Sequence, residues 1–384
     1  MSNKRKDDKG RLLRAGESQR KDLTYQYRYV DRRGRRVAIY ASNLNELREK
    51  EQQIQRNLMD GIDYSDGKIT VSELVQQYID ERYNVRASTL ETYKLLLNGI
   101  KRTDFGSRKV CDIGLRDAKI YFIEMYREGK KFSTISNYKR LLSASFRMAC
   151  DEDYLRKNPF NFELGKVLRN DAEPKTALTR EQQSHLLHFI RTDRILHKYY
   201  NLVFLLLSTG IRVSELCGLC EKDVDFENGR IHINHQILTR YKSGRYVEEP
   251  KSRAGNRYIP LTEESLRCIK RAISQRKKGY ENVSVGEHKG FLFINQRGNP
   301  YSAQTVDSIL NRIERGYCAK YPAFQIPHIT PHILRHTFCT DIVNAGVDIK
   351  SVQYLMGHST ANVTLNIYAH SEYDHVYEEL QKKR

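Results

Sequence analysis

From about residue 68 to about residue 168 this chain looks all-helical, with apolar residues recurring at helical spacing. Thr70 with Glu73 and Ser88 with Glu91 place capping boxes at two helix starts. Leu74, Val75, Tyr78 and Ile79 form one apolar stripe, and residues 133–150, STISNYKRLLSASFRMAC, carry another. A segment of that length with one period buries its stripes against one another as an all-helical body. The tract LRNDAEPKTA then breaks the pattern with Pro174 among polar residues, so residues 169–178 are expected to be an interdomain linker.

The flanking blocks have other periods, and 384 residues suit two or three domains rather than one core. In residues 1–65, the first 22 hold eight Lys and Arg among polar residues and are expected to be partly disordered. Residues 24–30 and 36–41 then read as two strands, TYQYRYV and RVAIYA, joined by a turn at Gly34. A helix follows, with a capping box from Asn43 to Glu46 and Leu44, Leu47, Ile54 and Leu58 on one face. Residues 179–384 open with a Thr179–Gln182 capping box and long helical patterns. A β-rich insertion follows, with one strand at 230–238 and two strands at 247–261 around a Gly255-Asn256 turn, before helices resume at Thr262. The expected fold class is α+β and multidomain: a small N-terminal β-sheet plus helix, an all-helical second domain, and a mainly α third domain with a small antiparallel sheet.

The charge narrows the partners. The 66 Lys and Arg outweigh 47 Asp and Glu, for a formal net charge of +19. Folding does not require such an excess, and the field it creates favours a polyanion. Nucleic acid is the first candidate. An acidic membrane is the second, but no segment joins a basic face to a strongly apolar one, and no apolar stretch is long enough to span a bilayer. The start, MSNKRKDDKGRLLRAGES, lacks the apolar core of a signal peptide. Seven scattered cysteines fit the reduced thiols of a cytoplasmic protein. Cys217 and Cys220 have CxxC spacing but no second pair, and they lie in a helical-looking segment, so packing is their expected role. Arg28, Arg32, Arg33, Arg35 and Arg36 crowd the first hairpin beside tyrosines, which favours a nucleic-acid surface over a merely solvated turn. Ser136, Asn137, Lys139, Arg140 and Arg147 are polar positions of the 133–150 helix that could meet phosphates.

Three segments of the last block carry candidate chemistry. In TPHILRHTF (330–338), Thr330 can cap, Pro331 suits the first helical position, and His332, Arg335 and His336 share a face. The two histidines have zinc-ligand spacing, yet Ile333 stands where a zinc hydrolase has glutamate, and Arg335 puts a positive charge between them. That set repels a metal and attracts an anion. In STGIRVSELCGL (208–219), Gly210 stops a helix, Ser214 can cap the next, Arg212 lies in the connection, and Glu215 can pair with a neighbouring cation. In YLMGHSTANVTLNIYAH (354–370), Gly357 ends a helix, His358 lies in the turn, Ser359 can cap, and Tyr368 falls near the end of the following helix. Each segment alone is also compatible with ordinary packing.

Together they resemble the tyrosine recombinase family, whose pattern is T-G-x-R-x-x-E-L, a lysine in a β-hairpin, H-x-x-R, and then G-H with a tyrosine about ten residues on. The matches are TGIRVSEL with Arg212, EEPKSRAGNRYIPL with Lys251, HILRH with His332 and Arg335, LMGHS with His358 and TLNIYAH with Tyr368, all in order. The N-terminal unit resembles the arm-type DNA-binding domain of integrases from conjugative transposons. One departure is Glu221, where the family often has tryptophan; its expected effect is on packing.

The resemblance implies a site-specific integrase that cuts and rejoins strands through a 3′-phosphotyrosine at Tyr368, needing no metal and no cofactor. Arg212 and Arg335 would clamp the phosphate, since a guanidinium fork matches its oxygens. His332 would act as base or phosphate ligand, Lys251 as general acid and His358 as hydrogen-bond donor. The partners implied are double-stranded DNA at core-type and arm-type sites, a homo-tetramer joined through the C-terminal helix, and an accessory excisionase. Residues 373–380 place Tyr373, Val376, Tyr377 and Leu380 at helical spacing for that contact. A type IB topoisomerase, a silent DNA-binding regulator and a zinc hydrolase are the rival functions.

Overall fold

The computed structural model describes residues 5–30, 34–59, 69–171, 176–240, 244–250, 253–276, 283–358 and 360. The chain divides into two compact units, Met1–Glu173 and Pro174–Arg384. It is an α+β protein, and among the described residues no helix is long and apolar enough to cross a membrane.

The first unit begins with a three-stranded antiparallel sheet of β1 (Glu17–Gln19), β2 (Tyr25–Val30) and β3 (Arg36–Ala41), in that order, followed by α1 (Leu44–Met59). Tyr25, Tyr27, Ala41, Leu44 and Leu47 form its core. Strand alternation puts Arg28 and Val30 on the opposite face, and the register Arg28↔Ala38 and Val30↔Arg36 brings Arg36 to that face too. The expected disorder of residues 1–22 is not what the chain does from residue 5 onward. Asp7 is buried and accepts from Arg11 Nε at 2.7 Å and from Tyr25 Oη at 3.0 Å, while buried Glu17 pairs with Arg48 Nε at 3.1 Å. These charged residues are ordered because their partners lie on β2 and α1, which a reading of local composition does not see.

Helices α2 (Val71–Asp80), α3 (Ala87–Lys101), α4 (Asp104–Ser107), α5 (Leu115–Arg127) and α6 (Phe132–Asp151) complete this unit around a second core that includes Val71, Phe122, Leu142, Phe146 and Phe160. The Thr70–Glu73 capping box forms, whereas the expected one at Ser88 does not. Helix α3 already starts at Ala87, with Arg86 O accepting the N–H of Thr89 and Leu90, so Ser88 lies inside the first turn.

The second unit packs α7 (Arg180–Thr192), α8 (Tyr200–Thr209), α9 (Val213–Gly218), α10 (Glu263–Ser274), α11 (Ala303–Lys320), α12 (Pro331–Asn344) and α13 (Ile349–Met356) about small antiparallel sheets. The sheets are β4 (Val224–Asp225), β5 (Arg230–Ile233) and β8 (Arg257–Pro260) in the order β4-β5-β8; the hairpin of β6 (Gln236–Arg240) and β7 (Gly244–Glu248); and the pair β9 (Ser284–Val285) and β10 (His288–Lys289). Three expectations are corrected here. Residues 230–238 are two strands in two sheets, because His235 Nε2 meets Gly218 O at 2.7 Å and redirects the chain. The strands within 247–261 do not pair with each other: β7 pairs with β6, and β8 pairs with β5. Nor does Ser214 cap α9. Arg212 occupies the cap, and Ser214 Oγ instead donates to Gln236 Oε1 at 3.0 Å.

Candidate active site

Two helix ends bring the candidate residues together, and each needs a glycine. Gly210 closes α8 at φ +59°, where a Cβ would stand 2.2 Å from Phe338 Cδ1. Gly357 closes α13 at φ +60°, where a Cβ would stand 2.9 Å from Arg257 Nη1. Left-handed backbone and close approach both exclude a larger residue.

The last carbonyls of a helix have no partner within it and carry its negative dipole end. At α13 three of them in succession accept from three different arginines. Arg257 Nε donates to Leu355 O at 2.7 Å, Arg335 Nη2 donates to Met356 O, and Arg212 Nη2 donates to Gly357 O at 2.7 Å. Arg335 Nη1 also donates to Gly210 O at 2.6 Å, tying the two helix ends. His358 is the next residue. Its N–H donates to Gln353 O, and its carbonyl accepts from Gln353 Nε2, both at 3.1 Å.

Glu215 stands among the arginines. Its Oε1 accepts from Arg212 Nη1 at 2.7 Å and from Arg257 Nη1 at 3.2 Å, while its Oε2 accepts from Arg257 Nη2 at 2.9 Å and from the Arg212 N–H at 3.0 Å. Burial alone would push this carboxyl up. Arg257, by hydrogen bond and charge, and then Arg212 outweigh burial and hold it below the usual carboxylate range. One carboxylate therefore faces three guanidiniums. Arg335 shows the imbalance: burial first, and then the charge of Arg212, push it down to about 9 against the pull of Glu215. The constellation is short of negative charge and suits an anion with several oxygens.

His358 is pushed down to about 4, by burial first and then by Arg335, Arg212 and Arg257. A histidine depressed in the fold stays neutral while its unfolded counterpart, near 6.5, takes up a proton. Its contribution to stability is therefore full above pH 6.5 and is lost as the pH falls towards 4. Histidine NMR of the protein alone should place the His358 midpoint near 4, and a phosphodiester in the cleft should raise it. A midpoint at the ordinary histidine value in the free protein would contradict this electrostatic picture.

Helix α12 is capped by Thr330 with Pro331 in its first turn. Its three candidates differ in setting: His332 is exposed, Arg335 is buried and His336 is half-buried. Lys251, Ser359, Tyr368 and the tail after it lie outside the described residues, as do Arg32 and Arg33. In the other unit, Arg28, Arg35, Arg36, Asn137, Arg140 and Arg147 are exposed. Lys139 is half-buried, its ammonium 5.3 Å from the Phe162 ring centroid, so part of its reach is spent on packing. Cys217 and Cys220 are both in the core, each pushed up to about 12 by burial. Glu221 is half-exposed and accepts from Arg276 Nη2.

Sequence reasoning missed Arg257. Its signal was register: Arg257 and Ile259 occupy the same face of β8, and Ile259 is a core position, so a charged residue stood where the strand faces inward. It is fully buried and is the second arm of the Glu215 clamp.

The chain has clear relatives among known proteins. Residues 176–375 match the phage integrase family, and residues 1–58 match the DNA-binding domain of the Tn916 integrase. The transposase from transposon Tn916 of Enterococcus faecalis is 40% identical over 395 residues, spanning 100% of this chain and 97% of that protein. The transposase from Tn1545 of Streptococcus pneumoniae matches to the same extent. Among solved structures, the Tn1549 transposon integrase in complex with a circular intermediate DNA superposes with a TM-score of 0.78 at 38% identity, covering 82% of this chain and 100% of that one. Lambda integrase, in a tetramer bound to a Holliday junction, shares the fold, with a TM-score of 0.55 at 16% identity over 94% of this chain and 97% of that one.

The fold and its relatives define a DNA strand-transfer enzyme. The chain belongs to the phage integrase family, as a tyrosine recombinase of the conjugative-transposon type that carries out site-specific recombination.

Proposed function

We propose that the arginine cluster beside His358 is the phosphate-binding half of a strand-transfer site and that Tyr368 is its nucleophile. The observation that carries this is the sharing of one buried carboxylate, Glu215, by Arg212 and Arg257, with Arg335 left in net positive surroundings. A scissile phosphodiester supplies the missing negative charge, and the charge that builds up on its oxygens in the transition state gains most from donors already in place. Arg212 and Arg335 take the non-bridging oxygens, and His358 adds a neutral N–H.

The Tyr368 hydroxyl attacks phosphorus, and its proton passes to His332. The bond to the 5′-oxygen breaks, and Lys251 protonates the departing oxygen. A 5′-hydroxyl of the partner strand then attacks the phosphotyrosine by the reverse path, so one phosphodiester is exchanged for another and no energy source is consumed. Incubation with a nicked suicide DNA substrate tests this: a covalent adduct should form, and peptide mapping should place it on Tyr368. Exchange between two separate sites, rather than relaxation of supercoils alone, distinguishes a recombinase from a type IB topoisomerase.

The exposed face of the N-terminal sheet, with Arg28 and Arg36, suits arm-type DNA, together with Arg32, Arg33 and Arg35 of the same hairpin. Arg140 and Lys139 on α6 suit the core-type site. On this division residues 1–65, 68–168 and 179–384 act as arm-binding, core-binding and catalytic domains. The protein acts on DNA in the bacterial cytoplasm, with an accessory excisionase directing excision. The tail docks on a neighbouring protomer, so that four chains assemble on two paired sites. Deleting residues 372–384 should therefore leave binding to a single site intact and reduce paired-site complexes in a native gel by at least tenfold; unchanged assembly would overturn the docking.

A further inference from the structure

Cys220, His235 and His288 meet in space although they come from three separate segments of the second unit. Cys220 lies between α9 and β4, in a bridge with Phe291; His235 joins β5 to β6; His288 opens β10. One ligand atom from each lies within 4.8 Å of the others. Cys220 Sγ is 4.0 Å from His235 Nε2, and the two imidazole centroids are 4.0 Å apart. Hydrophobic packing gives no reason to gather a thiol and two imidazoles, and it leaves His288 Nδ1 buried without a hydrogen-bond partner, an arrangement that folded proteins generally avoid.

We propose that Cys220, His235 and His288 form a binding site for a thiophilic divalent cation, zinc in the first place. A thiolate with two imidazoles is a donor set that zinc favours over the hard, oxygen-seeking cations. In a tetrahedral zinc site sulfur and nitrogen ligands stand about 3.5 Å apart, as follows from bonds of about 2.3 and 2.0 Å. The present separation of 4.0 Å therefore closes by a shift of side chains alone. Both ring nitrogens of His235 face oxygens, Nδ1 the Asn234 side-chain oxygen and Nε2 the Gly218 carbonyl at 2.7 Å, yet a neutral ring carries one proton. Ligation through Nε2 therefore places that proton on Nδ1, held by Asn234 as outer hydrogen bonds hold metal-binding histidines, and exchanges the Gly218 contact for the metal. The metal displaces the Cys220 proton on binding.

Asp223 supplies a second negative charge. Its Oδ2 accepts the Cys220 N–H at 2.8 Å and lies 3.9 Å from His235 Nε2. With the thiolate it balances a divalent ion. A cavity of about 490 Å³, lined by His235, Arg245, Glu249, Glu287 and His288 among others, gives the ion a path and its remaining position a water. The site would tie the root of the β6–β7 hairpin to the α9–β4 connection and to β10. That role is structural and separate from the strand-transfer site.

The test uses the full chain, purified under reducing conditions, stripped with a chelator and titrated with zinc against a chromophoric competitor, then with cobalt(II). One equivalent should bind, and cobalt should give a thiolate charge-transfer band with the visible absorption of a tetrahedral site. Cys220→Ser should weaken zinc binding at least tenfold and remove the charge-transfer band. His288→Gln, a change at a half-buried position, should weaken binding comparably and serves as the second variant if Cys220→Ser does not fold. Cys217→Ser and Cys318→Ser should change neither. Failure of the wild-type chain to bind zinc, or equal binding by the Cys220→Ser and His288→Gln variants, overturns the proposal.

Discussion

Tyr368→Phe is expected to bind its DNA site with unchanged affinity and to form no covalent adduct at all. The substitution removes one oxygen and leaves the ring, so the loss falls on the chemistry and not on the fold. A phenol with a pKa near 10 is a poor nucleophile until a base takes its proton and cations stabilise the developing charge. The arginines beside His358 provide that stabilisation, and losing one electrostatic donor of this kind costs about 2.7–4 kcal/mol in the barrier. Losing the nucleophile leaves those donors with nothing to act on, so the adduct should fall below detection on a denaturing gel while a filter-binding isotherm stays in place. Should adducts persist, the nucleophile lies elsewhere, and Tyr373 and Tyr377 are the residues to change next.

Glu215→Ala is expected to destabilise the catalytic unit by about 3–5 kcal/mol, because removing one partner of a buried ion pair strands the other. Here it strands two, since Arg257 is fully buried and both it and Arg212 donate to the same carboxylate. The three guanidiniums would then face one another across the end of α13 with that counter-charge gone. Urea denaturation followed by circular dichroism measures the loss, and a change below about 1 kcal/mol would show that the carboxylate is not what holds the cluster. The pH dependence adds a check. The folded carboxyl lies below its usual value near 4.5, so its stabilisation is present above that pH and is lost as the pH falls through the folded value. The gap between wild type and variant should therefore narrow in acid. Glu215→Gln keeps an acceptor oxygen but not the charge and should fall between the two.

What was legible in the sequence was what depends on neighbours in the chain. The Thr70–Glu73 and Thr179–Gln182 boxes, the helix stops at Gly210 and Gly357 and the strands at β2 and β3 all follow from contacts a few residues apart or from backbone preference. Ser88 failed for a local reason too: a side-chain cap requires the residue to stand outside the helix, and α3 had already begun at Ala87. The larger departures were not local. Ordering of the charged N-terminal segment rests on pairs such as Arg48 with Glu17, 31 residues apart, and the break at His235 rests on Gly218, 17 residues back.

The same division runs through the site. The order of residue types from Arg212 to Tyr368 can be read along the chain, and that order was enough to assign the family. How these residues act on one another is a matter of the fold. It set Arg257, read simply as part of a strand, beside a glutamate 42 residues away, and it gathered three guanidiniums on three successive carbonyls of α13. A side chain's charge is written in its type. The field in which it works depends on burial and on distant partners, which is why Arg335 and His358 titrate far from their ordinary values here.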